Sequence, residues 1–178
     1  MKKINSTLRN LYYKMVVSSS EKATRRTARR RFVKFMNENN YRYRMSNDQT
    51  YMESGFELAD GHSADVYYDF NPDESRITMS AQFLTIETYQ IPQAALLISH
   101  LNTLIRHGKL MINFRSRSVY FQLEISCAAI LLNPTIIGDF HHRLLSMPND
   151  FIWCFQQVLE VNEDPVVVMG ELMKRRGI

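Results

Sequence analysis

Cysteine, tryptophan and glycine are scarce in this chain: two, one and six among 178 residues. Cys127 and Cys154 sit inside apolar stretches with no CxxC spacing. That argues against a disulfide framework and for two buried thiols in a reducing compartment. Long apolar runs are missing too, since none approaches the roughly 20 residues that a membrane helix needs. The apolar run at residues 11–17 is broken by Lys14 and has no small-residue cleavage site, so no signal peptide is expected and a cytoplasmic location is the default. Nucleophile elbows, phosphate-binding loops, dinucleotide fingerprints and Gly-centred calcium loops are all absent. No catalytic, cofactor-binding or metal-ligating residue is expected, and the chain is not expected to be an enzyme.

A hydrophobic content of 45 % and an aromatic content of 11 % suffice for the core of one domain of this length. Acidic residues are rare at the start. Residues 1–44 hold 13 Lys or Arg against Glu21 and Glu38, and the remainder is acidic on balance. Two readings of this basic arm are open. It contacts nucleic acid or another polyanion through Arg25, Arg26, Arg29, Arg30, Arg31 and Lys34, or it is the solvated face of a helix.

Along the chain, residues 1–20 are expected to be a loosely ordered basic segment, with 21–178 forming a single α+β domain. Leu8, Leu11, Tyr12 and Met15 have the spacing of a short amphipathic turn, but the segment is left unassigned. Residues 21–39 are expected to be helical, with a thin stripe of Ala28, Phe32, Phe35 and Met36 and an end among Asn37, Asn39 and Asn40. A three-strand meander follows. Its strands are Phe56 and Leu58, then Ala64, Val66, Tyr68 and Phe70, then Ile77, Met79, Ala81 and Phe83, with turns at Asp60-Gly61 and Asn71-Pro72-Asp73. Strict alternation predicts an antiparallel sheet covered on one side.

The best-marked stretch is residues 92–125. A Pro-initiated helix to His107 carries Ala94, Leu97, Ile98, Leu101, Leu104 and Ile105 on one face. Gly108 stops it, and a strand pair follows at 110–114 and 119–125, giving about five strands in all. The apolar run 127–132 reads as a continuation of the second strand. Asn133-Pro134 is expected to start a helix that Pro148 interrupts. Asn149 then caps the next one, and Asp164-Pro165 starts a last short helix.

Among chemistry-bearing residues, Asp139, His141 and His142 read as a solvated face and not as a metal site, since adjacent helical histidines point about 100° apart and do not converge on one ion. His100 and His107 read as surface histidines, and Asp65, Asp69, Asp73 and Glu74 as surface charge. Tyr67 and Tyr120 lie opposite the apolar alternation. They either present aromatic anchors on the outer sheet face, for a peptide or for bases, or pack under flanking helices.

Leu101-Asn102, Gly108, the strand at 109–114, Val119-Tyr120-Phe121 and the helix at 151–159 together resemble the YbjN-type domain, within the broader type III secretion chaperone-like fold. The likeness runs over residues 25–175, although the arginine cluster 25–31 and the first twenty residues are not part of that pattern. The resemblance implies a non-enzymatic α+β domain. Secretion chaperones of this fold bind extended polypeptide segments and usually dimerise, and YbjN-type proteins have been linked to bacterial stress and regulation. It supplies no catalytic residues. The expected partner is therefore a protein or peptide, with a homodimer possible, nucleic acid as the alternative, and neither membrane nor cofactor.

Overall fold

The computed structural model describes residues 6–177, without the side chains of Ser6 and Asp60. The first five residues of the expected N-terminal segment lie outside this range. Among the described residues there are six α-helices and one antiparallel sheet of six strands, in the order β1-β2-β3-β4-β6-β5. The chain forms two compact units. One takes residues up to Ser54, then Tyr67–Met79 and Glu124–His142; the other takes Gly55–Val66, Ser80–Leu123 and the residues from Arg143 onward.

In the first unit, α1 (Ser6–Ser19) and α2 (Glu21–Glu38) are separated by Ser20, whose hydroxyl accepts the Ala23 N–H as the N-cap of α2. A helix thus occupies the segment that sequence alone left unassigned. α2 buries Thr24, Ala28, Phe32 and Met36. The Phe32 ring lies 5.1 Å from that of Tyr68 and 5.6 Å from that of Phe70. Asn40, at φ +57°, turns the chain out of the helix in the left-handed region that asparagine tolerates. The short strand β1 (Arg44–Met45) then pairs with β2 (Tyr51–Glu57), Arg44 opposite Glu53, and these two side chains form an ion pair. This two-residue strand is the one that sequence alternation missed, because two residues carry no period.

β3 (Ser63–Asp69) and β4 (Arg76–Thr85) complete the meander, and Gly61 at φ +78° supplies the turn before β3. The expected alternation holds: Ala64, Val66 and Tyr68 on β3, and Ile77, Met79, Ala81 and Phe83 on β4, are all buried. No outer-facing residue of β2, β3 or β4 is buried.

The expected strand continuation at 127–132 is instead a helix, α4 (Cys127–Leu132), following directly on β6 (Ser118–Ser126). An apolar run this short has no readable period of its own. Two alanines favour helix, and burial of Cys127, Ile130 and Leu131 at i, i+3 and i+4 fixes it against α1 and α2. Burial pushes the thiols of Cys127 and Cys154 up to about 11, and both cysteines are free.

Asn133 closes α4 instead of opening the next helix, and its Oδ1 accepts the Thr135 N–H. α5 (Ile136–Leu159) then runs unbroken through Pro148, where sequence had placed an interruption. A helical proline removes one ladder bond and costs about 3 kcal/mol. The compensation is an uninterrupted 4-3-4-3 stripe, Ile137, His141, Leu144, Pro148, Phe151, Phe155 and Val158, every member buried. Asn149 caps no helix; its Oδ1 accepts the Ala59 N–H at 2.8 Å.

In the second unit, α3 (Ile91–Leu104) follows a 3-10 turn closed by a reciprocal Glu87 and Gln90 capping box, and buries Ala94, Leu97, Ile98 and Leu101. It ends one turn earlier than expected, since Ile105 is already extended. The side chain of Asn102 then reaches β5 (Lys109–Asn113). Its Nδ2 donates to the Leu110 carbonyl at 3.1 Å, and its Oδ1 accepts the Leu110 N–H at 2.8 Å. α6 (Pro165–Arg176) is capped by Asp164 and closed by Gly177 at φ +68°. Its Arg175 guanidinium stacks 3.7 Å from the centre of the Trp153 ring.

Gly108 adopts φ +89°, and a Cβ there would stand 2.6 Å from the Gln122 carbonyl oxygen and 2.7 Å from the Phe121 ring. Gly108→Ala is therefore expected to destabilise the protein by about 2–4 kcal/mol, combining left-handed strain with overpacking. Urea unfolding of the variant, compared with Gly55→Ala at an open position, measures it.

Candidate functional site

Three places in the first unit bring chemically capable side chains together. One is the outer sheet face. Tyr67, half-buried on β3, stacks on Tyr51 of β2 with ring centroids 5.8 Å apart and planes 25° from parallel. Burial is the main cause that pushes the Tyr51 hydroxyl up to about 12, followed by Tyr67 and the carboxylates of Glu53 and Asp69. Of these two carboxylates, Glu53 is paired with Arg44. Tyr51 was missed from sequence because β2 was expected to begin four residues later, although the alternation of Tyr51 and Glu53 with Met52 already marks it. Tyr120 belongs to the second unit, half-buried on β6 opposite Met111 of β5.

The α2 cations divide among different tasks. Arg25, Arg26 and Arg29, with Lys22, line a cleft of about 430 Å3 whose other wall is the turn Asn71-Pro72-Asp73-Glu74 with Arg76. Within it Arg76 pairs with Glu74 at 2.9 Å and with Glu124 at 2.8 Å. Arg29 also donates to the Gln49 carbonyl at 3.1 Å. Arg31 turns inward, donating to the Leu131 carbonyl at 2.8 Å and lying 5.1 Å from the centre of the Tyr13 ring. Burial lowers its pKa. Lys34 pairs with Glu38 at 3.4 Å in solvent, and Arg30 is exposed. Of the six cations singled out from sequence, three therefore share the cleft.

The third place corrects an expectation. His141 is not on a solvated face: it is 2 % exposed, and its Nε2 shares a 2.9 Å hydrogen bond with the hydroxyl of the fully buried Tyr68. The Tyr41 ring stacks 4.8 Å from the imidazole, and Phe35 packs edge-on at 5.7 Å. The missed signal was the seven-residue stripe of α5, on which His141 occupies an apolar position. Burial, then the neighbouring His142, pushes its pKa down to about 4, and burial raises that of Tyr68. Enclosed in this way, the pair meets no solvent-borne substrate; it fixes the core. No group of three His, Cys, Asp or Glu among the described residues is arranged to hold a metal ion, and no described helix is long and apolar enough to cross a membrane.

The imidazole carries a pH dependence. The unfolded chain binds this proton near pH 6.5, whereas the folded chain binds it only near pH 4. Stability contributed here is complete above pH 6.5 and lost as pH falls towards 4, by about 3 kcal/mol. The double substitution His141→Leu/Tyr68→Phe should flatten that part of the curve of unfolding free energy against pH.

No protein-family model and no curated protein sequence matches the chain. Among solved structures, the chain is similar to YbjN from E. coli, a proposed transcription regulator. The likeness covers 63 % of this chain and 90 % of that one, at 12 % identity and a TM-score of 0.41.

Proposed function

We propose that this is a non-enzymatic binding protein, chaperone-like or regulatory, that recognises a polypeptide on the open outer face of its sheet. The observation that supports this reading is the stacked Tyr51–Tyr67 pair, held on an uncovered face beside Glu53 and Asp69. Aromatic faces suit Lys and Arg side chains of a partner, and the carboxylate of Asp69 beside them disfavours phosphate. Strand addition at the edges is the weaker route. β1 is two residues long. On β5, the Asn102 amide already occupies both outward-facing groups of Leu110, and period-two geometry leaves Ile112 as the next outward position. Tyr120, on β6 in the second unit, is a half-buried aromatic of the same kind.

A second reading rests on the cleft. Lys22, Arg25, Arg26 and Arg29 at i, i+3, i+4 and i+7 present four cations from one face of α2, which suits a polyanion such as single-stranded nucleic acid.

Titrating the chain at low salt with an Arg/Lys-rich peptide and with a single-stranded oligonucleotide separates the two. Saturable peptide binding, weakened about tenfold in Tyr51→Ser/Tyr67→Ser, is the expected result. Oligonucleotide binding that disappears in Arg25→Glu/Arg26→Glu, with no peptide binding, would install the second reading in its place.

A further inference from the structure

α1 exposes what an amphipathic helix normally hides. Leu8, Leu11, Tyr12 and Met15 stand at i, i+3, i+4 and i+7 and are 62 %, 56 %, 55 % and 65 % exposed. The packed side of the helix is the other one: Tyr13, Val16 and Val17 are half-buried, and α1 lies against α2 and α4. At 100° per residue, Arg9 and Lys14 fall about 110° to either side of the centre of the apolar stripe. Both are exposed. Residues 1–20 carry four Lys or Arg and no Asp or Glu.

We infer that the outer face of α1 is a docking surface for an anionic lipid bilayer. The helix lies along the surface, with its four apolar side chains at the acyl boundary and its cations level with the headgroups. Three features select this occupant. The stripe is two turns long, which matches shallow insertion. Cations line both borders of the stripe, where their aliphatic stems lie on the apolar surface while their charges reach the headgroups. A second copy of the chain would bring Arg9 and Lys14 against their own kind, with no acid in either segment to answer them. Surface attachment of this sort needs no membrane-crossing helix.

The test is cosedimentation of the full chain with vesicles of phosphatidylcholine, with and without phosphatidylglycerol, at low and high salt. Retention on the anionic vesicles alone, weakened by salt and reduced about tenfold in Leu8→Ser/Leu11→Ser, is the expected pattern. The variant's unfolding temperature should match that of the parent chain, because both leucines are exposed. Absence of binding to anionic vesicles would overturn the proposal, as would a variant that binds as well as the parent. So would a dimer, seen by light scattering, that the double substitution dissolves, because it would assign the stripe to a second copy.

Discussion

One buried polar contact constrains the first unit more than any other: the hydrogen bond between His141 on α5 and Tyr68 on β3. Apolar side chains can slide past one another at modest cost, but an imidazole and a phenol enclosed among Phe32, Phe35 and Tyr41 cannot. Rotating or shifting α5 by one residue would leave two buried polar groups without partners, at about 1–3 kcal/mol each. The pair therefore selects one register of helix on sheet. The aromatic cluster around it supplies the apolar burial, and this bond supplies the uniqueness.

The alternation of the sheet follows from the same division. On β2, β3 and β4 every buried residue lies on one face, which leaves the other to Tyr51, Tyr67 and a scatter of acids; β6 alternates likewise from Val119 onward, with Tyr120 outward. An antiparallel sheet finished on one side only keeps its second side available, and every reading of partner binding made above starts there or on the helices that carry the positive charge. Along α2, the charge excess so conspicuous in the sequence is partly spent within the molecule. Arg31 and Arg29 are tied to backbone carbonyls, and Lys34 pairs with Glu38.

Most of the sheet and three helices were legible because their periods are long enough to be read. α2, α3 and α6 showed their stripes, caps and terminating Asn, Gly or Pro residues, and the three long strands showed clean alternation. Legibility failed where a local rule met a tertiary one. Pro148 and Asn149 read as a stop followed by a cap, yet the 4-3-4-3 stripe continued through both, and burial of Phe151, Phe155 and Val158 outweighed one lost ladder bond. The run from Cys127 to Leu132 had no polar residue to reveal its period. Of the candidate site, Tyr67 and the cleft arginines were visible. Tyr51 was hidden by a misplaced strand start, and His141 was hidden by the expectation that histidines beside Asp139 face water.

The Asn102 amide carries a consequence for how the chain acquires its structure. Its partner Leu110 is eight residues away, so one outward-facing residue of the β5 edge is occupied by a side chain from the helix just before it and does not wait for a distant strand. Helix, glycine turn and β5–β6 hairpin close on one another through short chain loops, whose entropic cost is small. Such a block can form early and stand as a template, its raw strand edge interrupted at Leu110 during the interval when a nascent sheet is most exposed to pairing with the wrong chain.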